Sequence, residues 1–129
     1  MSKDLVQKWY NAISNAEKDL PLILVDGIIY TPTTAYNEVM RSSPIGLKIQ
    51  TLIETGRFGS TSEEEQAIAK TRLEQWLRTQ PPDKPLFATL SNKVFTPSQL
   101  LEEIQSGTSI GEQWKNNEIS HMRRLVQLR

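Results

Sequence analysis

The chain has 129 residues, no cysteine, one histidine, and 15 basic side chains against 15 acidic ones. This length suits one domain of ordinary size. The absence of cysteine excludes disulfides, thiolate metal sites and thiol chemistry, and a single histidine excludes a multi-histidine zinc site. A net charge of zero gives no long-range attraction to nucleic acid or anionic lipid.

The N-terminus and the apolar runs show no targeting or membrane signal. The first residues alternate charged and apolar side chains and lack the apolar centre of a signal peptide. The longest apolar runs, 22–25 and 28–30, are far shorter than the ~20 residues of a spanning helix. We therefore expect a cytoplasmic protein that makes no contact with membranes.

The first predicted elements are a helix and a hairpin. Apolar residues recur at helical spacing over about 3–17, which predicts an amphipathic helix. Two short apolar runs, 22–25 and 28–30, follow as strands. Asp26 and Gly27 separate them, and this pair is favoured in type I′ turns because both turn positions need positive φ.

Two further helices follow the hairpin, each with a hydroxyl cap and a proline at its first position. Thr31 is the predicted cap of the first helix and Ser43 that of the second. The second helix is expected to end at Gly56. The first half therefore predicts the order helix, hairpin, helix, helix.

The second half predicts the same order. Thr61 starts a helix with glutamates in its first turn. Residues 86–90 and 94–95 are predicted strands, joined by a turn at 91–93. Thr96 begins a capping box, as Thr31 does in the first half.

These parallels extend to an alignment of the chain with itself. Residues 29–49 align without a gap with residues 94–114, at an offset of 65. The identical pairs are Thr31/Thr96, Pro32/Pro97, Glu38/Glu103, Ile45/Ile110 and Gly46/Gly111. Ordinary composition gives about one identity over such a stretch. We therefore predict an internal duplication of a ~65-residue helix–β-hairpin–helix–helix unit.

The predicted fold class is α+β. The chain is expected to form a single compact domain over residues 1–129, built from two repeats at about 1–57 and 60–129. Because a lone hairpin is marginal in water, we predict that the two hairpins merge into a four-stranded antiparallel sheet packed by helices. The alternative is edge pairing of strands between chains, which would make a homodimer.

The residue pattern favours a small non-enzymatic, protein-binding module that needs no cofactor. Trp9, Trp76 and Trp114 fall on apolar stripes and are predicted to be core residues. The only histidine, His121, lacks an evident metal or base partner. An enzyme that uses paired carboxylates is an alternative only if Glu38 and Glu103 face one cleft.

The C-terminal segment supplies the first candidate contact surface. A last helix carries Ile110 and Trp114 and is predicted to continue through Val126. One hypothesis is that its end folds back onto the first helix around Trp9. The other is that it binds a partner protein or a second copy of the chain, because methionine and arginine are enriched at interfaces. The residues of that surface are Met122, Arg123, Leu125, Val126 and Leu128.

A DNA-binding regulator is the second alternative. Two helices joined by a short turn, near Ser43 and again near Gly107, resemble a helix-turn-helix in outline. The neutral net charge disfavours this function, because phosphate contacts dominate affinity for DNA. The side chains that would reach the bases are Lys48, Gln50, Thr51, Gln113, Lys115 and Asn116.

Overall fold

A computed structural model of the chain describes residues 2–85, 87–88 and 94–129. The helices in these ranges are α1 (Ser2–Ala12), α2 (Asn15–Lys18), α3 (Pro32–Met40), α4 (Pro44–Glu54), α5 (Ser62–Arg78), α6 (Pro97–Ser106) and α7 (Ser109–Val126). The strands are β1 (Ile23–Val25), β2 (Ile28–Tyr30), β3 (Phe87–Ala88) and β4 (Val94–Phe95). Helices and short antiparallel sheets in one chain agree with the predicted α+β class. The predicted turn at 91–93 lies outside the described residues.

The first predicted helix is interrupted. The amphipathic pattern over 3–17 predicts one helix, whereas α1 ends at Ala12 and the four-residue α2 starts at Asn15. Ser14 between them is extended, with ψ 152°, as is usual for the residue that precedes a helix. Ile13 remains buried at the break.

The first hairpin has the predicted turn. Asp26 and Gly27 both have positive φ, 50° and 77°, and β1 pairs antiparallel with β2 around them. On the other side of β1, the main-chain N–H of Leu24 donates to the oxygen of Phe58 at 2.9 Å. The loop between α4 and α5, which joins the two halves of the chain, therefore packs along β1.

The prediction of one merged sheet does not hold for the described strands. β1 and β2 form one two-stranded sheet, and β3 and β4 form another. At β1, Gly59 forms a parallel bridge to Leu24, so the chain after α4, and not the second hairpin, occupies that edge of the first hairpin.

The capping predictions at Thr31 and Thr96 are confirmed. Each hydroxyl accepts a hydrogen bond from the main-chain N–H three residues later, that of Thr34 at 3.1 Å and that of Gln99 at 3.2 Å. The side chains of Thr34 and Gln99 accept in turn from the main-chain N–H of the cap, at 2.9 and 3.0 Å. Both capping boxes are complete, so α3 and α6 start with the same local bonds.

A second feature repeats where α3 meets α4 and where α6 meets α7. A Cβ atom added to Gly46 would collide with the carbonyl oxygen of Glu38, and one added to Gly111 would collide with that of Glu103. The hydroxyl that caps each following helix donates to the same carbonyl oxygen, at 3.3 Å in both halves. Glycine is needed at these positions because the two helices approach backbone to backbone.

The buried apolar side chains form two clusters, and α5 and α7 contribute to both. The larger cluster holds the first half of the chain, with Ile68 of α5 and Met122 of α7. The smaller one packs Leu73 and Leu77 of α5 against α6. The helices α5 and α7 therefore connect the two clusters.

The end of α7 lies in the larger cluster and reaches Trp9, as the first of the two hypotheses predicts. Met122, Leu125 and Val126 are buried there, and Leu128 is partly buried against the same cluster. The alternative contact surface does not fit this placement, because three of its five side chains are packed inside the chain. Met122, Leu125 and Val126 are therefore turned inward where α7 meets α1, and Leu128 is only partly exposed.

Candidate functional site

A cleft of about 510 Å³ lies between α2, α5 and α7. Sites for small ligands or protruding side chains occupy roughly 300–1,000 Å³, so its size suits a binding site. One part of its wall is apolar and the other carries charged side chains. The apolar lining residues are Leu20, Pro21, Leu73, Trp76 and Trp114.

Helical spacing brings the lining side chains together. Arg72 and Trp76 are four residues apart on α5 and so share one face of that helix. Trp114, Glu118 and His121 follow the same rule on α7, at i, i+4 and i+7. Because α5 and α7 pack against each other, these two faces become the walls of one cleft.

The apolar wall includes two large side chains that reach solvent. Trp76 is 44% exposed and Leu20 is 41% exposed, whereas Trp9 is fully buried and Trp114 is half-buried. The prediction that all three tryptophans are core residues is therefore wrong for Trp76. Trp76 lines the cleft, whereas Leu77, the next residue of α5, is buried in the smaller cluster.

Arg72 organises the charged end of the cleft. Its side chain is only 8% exposed. Its Nε donates to Oε1 of Glu118 at 2.8 Å, its Nη1 donates to the main-chain oxygen of Pro21 at 2.8 Å, and its Nη2 donates to Glu17. A buried guanidinium of this kind is held by charge-assisted bonds. Arg72 therefore fixes α2, α5 and α7 to one another.

The carboxylates outnumber the guanidinium at this end of the cleft. Glu17 and Glu118 each bind Arg72 through one oxygen, and their side chains are 21% and 18% exposed. Within the described part of the chain, their second oxygens accept no hydrogen bond. His121 lies nearby, with its Nε2 3.9 Å from Oε2 of Glu17. When His121 is neutral, the side chains of Arg72, Glu17, Glu118 and His121 together carry a net charge of −1.

A second buried carboxylate lies away from the cleft. The side chain of Glu65 is 3% exposed and accepts from Arg57 at 3.3 Å, from Arg123 at 3.1 Å and from the main-chain N–H of Phe58 at 3.1 Å. Arg123, a residue of the predicted contact surface, therefore links α7 to Glu65 of α5.

The candidate DNA-contacting side chains are divided between α4 and α7. Lys48 pairs with Asp26 at 2.8 Å, and Lys115 pairs with Glu112 at 2.9 Å. Each of these lysines therefore has an acidic partner within the chain. Thr51, Gln113 and Asn116 are exposed and Gln50 is half-buried.

The candidate catalytic carboxylates line different surface hollows. Glu38 lines one hollow, where it pairs with Arg41 and accepts from the hydroxyl of Ser43 at 2.8 Å. Glu103 lines another, next to Ile110. The sequence alternative required one shared cleft, and these hollows do not provide it.

The cleft itself was not foreseen from the sequence. The available signal was a pair of helical faces that mix charge with tryptophan, Arg72 with Trp76 and Trp114 with Glu118. Such faces are unusual for a core, since buried charges are rare unless they are paired. Leu20 carried no signal of its own, because it follows α2 in a loop.

Across residues 2–85, 87–88 and 94–129, no three acidic or histidine side chains converge closely enough to hold a metal ion. None of the helices in that part of the chain combines the length and the apolar character needed to cross a bilayer.

Comparison of the chain with protein-family models, with curated proteins and with solved structures finds no match in any of the three.

Proposed function

We propose that this chain is a non-enzymatic protein-binding module whose cleft between α2, α5 and α7 holds a segment of a partner protein. The observation that carries the proposal is the exposure of Trp76 and Leu20 in a cleft with a charged end. Tryptophan in a pocket is the residue type most often found to dominate binding energy. The ordered ion pairs of Arg72 keep the cleft in shape before binding, which lowers the entropic cost of association.

A selection of displayed peptides tests this function. A library of random 12-residue peptides is selected on the immobilised full chain, and the recovered peptides are titrated against two variants. We expect Trp76→Ala to weaken their binding about tenfold or more. The matched control is Leu47→Ala, which removes another exposed apolar side chain, on α4, and should leave binding unchanged.

The same experiment can contradict the proposed function. A selection that yields no specific binders, or binders that Trp76→Ala does not affect, contradicts a protein-binding role for the cleft. The thermal unfolding of both variants is measured alongside, so that lost binding is not confused with lost folding.

The duplication of a ~65-residue unit is also part of the proposal. Its support is the shared element order, the complete capping boxes at Thr31 and Thr96, and the close approaches at Gly46 and Gly111. An experimental structure would test it by superposing residues 20–54 on 85–119. Different registers at the two threonines would contradict it.

The remaining functional alternatives stay predictions. A DNA-binding regulator would shift duplex DNA in a salt-dependent manner, although Lys48 and Lys115 already pair with carboxylates. An enzyme built on Glu38 and Glu103 would lose turnover when either is replaced by glutamine. A cytoplasmic location and self-association are likewise expectations, which fractionation and the mass in solution would test.

A further inference from the structure

We propose that the segment held in the cleft is basic and apolar, with an arginine or lysine directed at Glu17 and Glu118 and an aliphatic side chain on Trp76 and Leu20. The proposal rests on the protein-binding function above and specifies the chemistry of the partner. Three features of the cleft and of the chain support it.

The first support is charge complementarity. Glu17 and Glu118 share one guanidinium, that of Arg72, so with His121 neutral this end of the cleft carries a net charge of −1. Each carboxylate is about four-fifths buried and has a second oxygen that accepts no hydrogen bond within the described part of the chain. A cationic side chain that entered the cleft would satisfy these oxygens with charge-assisted bonds. An acidic segment would be repelled.

The second support is the juxtaposition of aromatic and acidic groups. Arginine and lysine have long apolar stems that pack on hydrophobic surface while their charged ends reach polar groups. Their cations are also attracted to the faces of tryptophan rings. Trp76 and Trp114 line the same cleft as both carboxylates, so one basic side chain fits both parts of the wall.

The third support is a contact that the chain makes with its own C-terminal segment. Leu125 of α7 packs with Trp9 in the larger cluster, and its main-chain oxygen accepts from the indole of Trp9. Two residues earlier, Arg123 reaches the buried carboxylate of Glu65 and lies 5.9 Å from the ring centroid of Phe58. Within this chain, a buried glutamate is therefore bound by an arginine two residues away from an apolar anchor, which is the combination proposed for the partner segment.

The test uses the peptides selected on the intact full chain. We expect arginine and lysine to be enriched in them relative to the unselected library, next to leucine, isoleucine or valine. In the best binder, each arginine is replaced by citrulline, which has nearly the same shape but no charge, and each lysine by acetyl-lysine. We expect one such replacement to weaken binding about tenfold. We also expect higher salt to weaken the binding of the parent peptide more than that of the neutral peptide.

A variant of the protein locates the charge interaction. Glu118→Gln should weaken the binding of the basic peptide and leave the binding of the citrulline peptide unchanged. Glu54→Gln, which neutralises an exposed glutamate on α4, is the matched control and should change neither. If the Glu118→Gln variant unfolds because Arg72 loses a partner, the citrulline comparison still shows whether the bound peptide must be basic. That comparison uses the unaltered protein.

The outcomes separate this inference from the function on which it rests. Peptides that depend on Trp76 but show no basic enrichment, or that tolerate citrulline, overturn the basic partner and leave the binding function standing. Peptides that bind without dependence on Trp76, or no peptides at all, overturn both. Both proposals are supported if arginine and lysine are enriched in the selected peptides and if binding is weakened by citrulline and by Glu118→Gln.

Discussion

The indole Nε1–H of Trp9 donates a hydrogen bond to the main-chain oxygen of Leu125 at 2.9 Å, across 116 residues of sequence. The donor lies on α1 and the acceptor on the last turn of α7, and both side chains are buried in one cluster. Trp76 has a similar place near the end of α5, yet it is 44% exposed in the cleft. Two similarly placed tryptophans therefore have different roles, one in packing and one in the proposed binding.

The two tryptophans should differ in their contribution to stability. We expect Trp9→Ala to cost about 3–5 kcal/mol, because it removes a fully buried ring and leaves a cavity. Trp76→Ala should cost roughly half as much, because nearly half of that side chain already contacts water. Denaturant unfolding of both variants measures the difference. Equal costs would show that Trp76 is a packing residue.

The C-terminal turns of α7 should be needed for folding. A chain that ends after Ile119 lacks Met122, Leu125 and Val126, and loss of one such side chain alone costs about 1–5 kcal/mol. The total approaches the ~5–15 kcal/mol stability of a whole domain, so we expect no cooperative thermal transition. Arg124→Ala, an exposed change in the same segment, is the control. A truncated chain that melts like the full one would refute this assignment.

The glycines where helices meet should not tolerate alanine. In an ordinary helix, Gly→Ala stabilises by about 1 kcal/mol. At Gly46 and Gly111 the added Cβ collides with the backbone of the preceding helix, so we expect destabilisation of about 1–3 kcal/mol at each. Gln113→Ala, at an exposed position of α7, should be nearly neutral. Stabilisation by either glycine change would mean that the helices separate easily.

The buried carboxylate of Glu65 should be important for stability. Glu65→Gln keeps the shape but removes the charge that faces Arg57 and Arg123, and we expect a loss of about 1–3 kcal/mol. The arginines are nearly half exposed, so water limits the cost. Glu63→Gln alters an exposed neighbour and serves as the control. A double-mutant cycle with Arg123→Ala should show coupling, and independent effects would contradict the contact.

Local structure could be predicted from the sequence because it depends on residues within a few positions of one another. The cap at Thr31 needs only the N–H three residues on, and the turn at Asp26 and Gly27 needs only positive φ. The element order followed from such signals. Among the described residues, a local error was the single helix over 3–17, where the break at Ser14 interrupts a continuous apolar pattern.

The sequence by itself thus determined the elements, their order and most of their ends. Only the tertiary structure decided which faces are covered. Trp76 is four residues after Arg72 and seven after Ala69, so its helical angle is that of the buried stripe of α5. Whether another element reaches that turn depends on contacts between distant parts of the chain, and helical periodicity carries no information about them. For the same reason the cleft and the burial of Arg72 emerge only when α2, α5 and α7 are packed together.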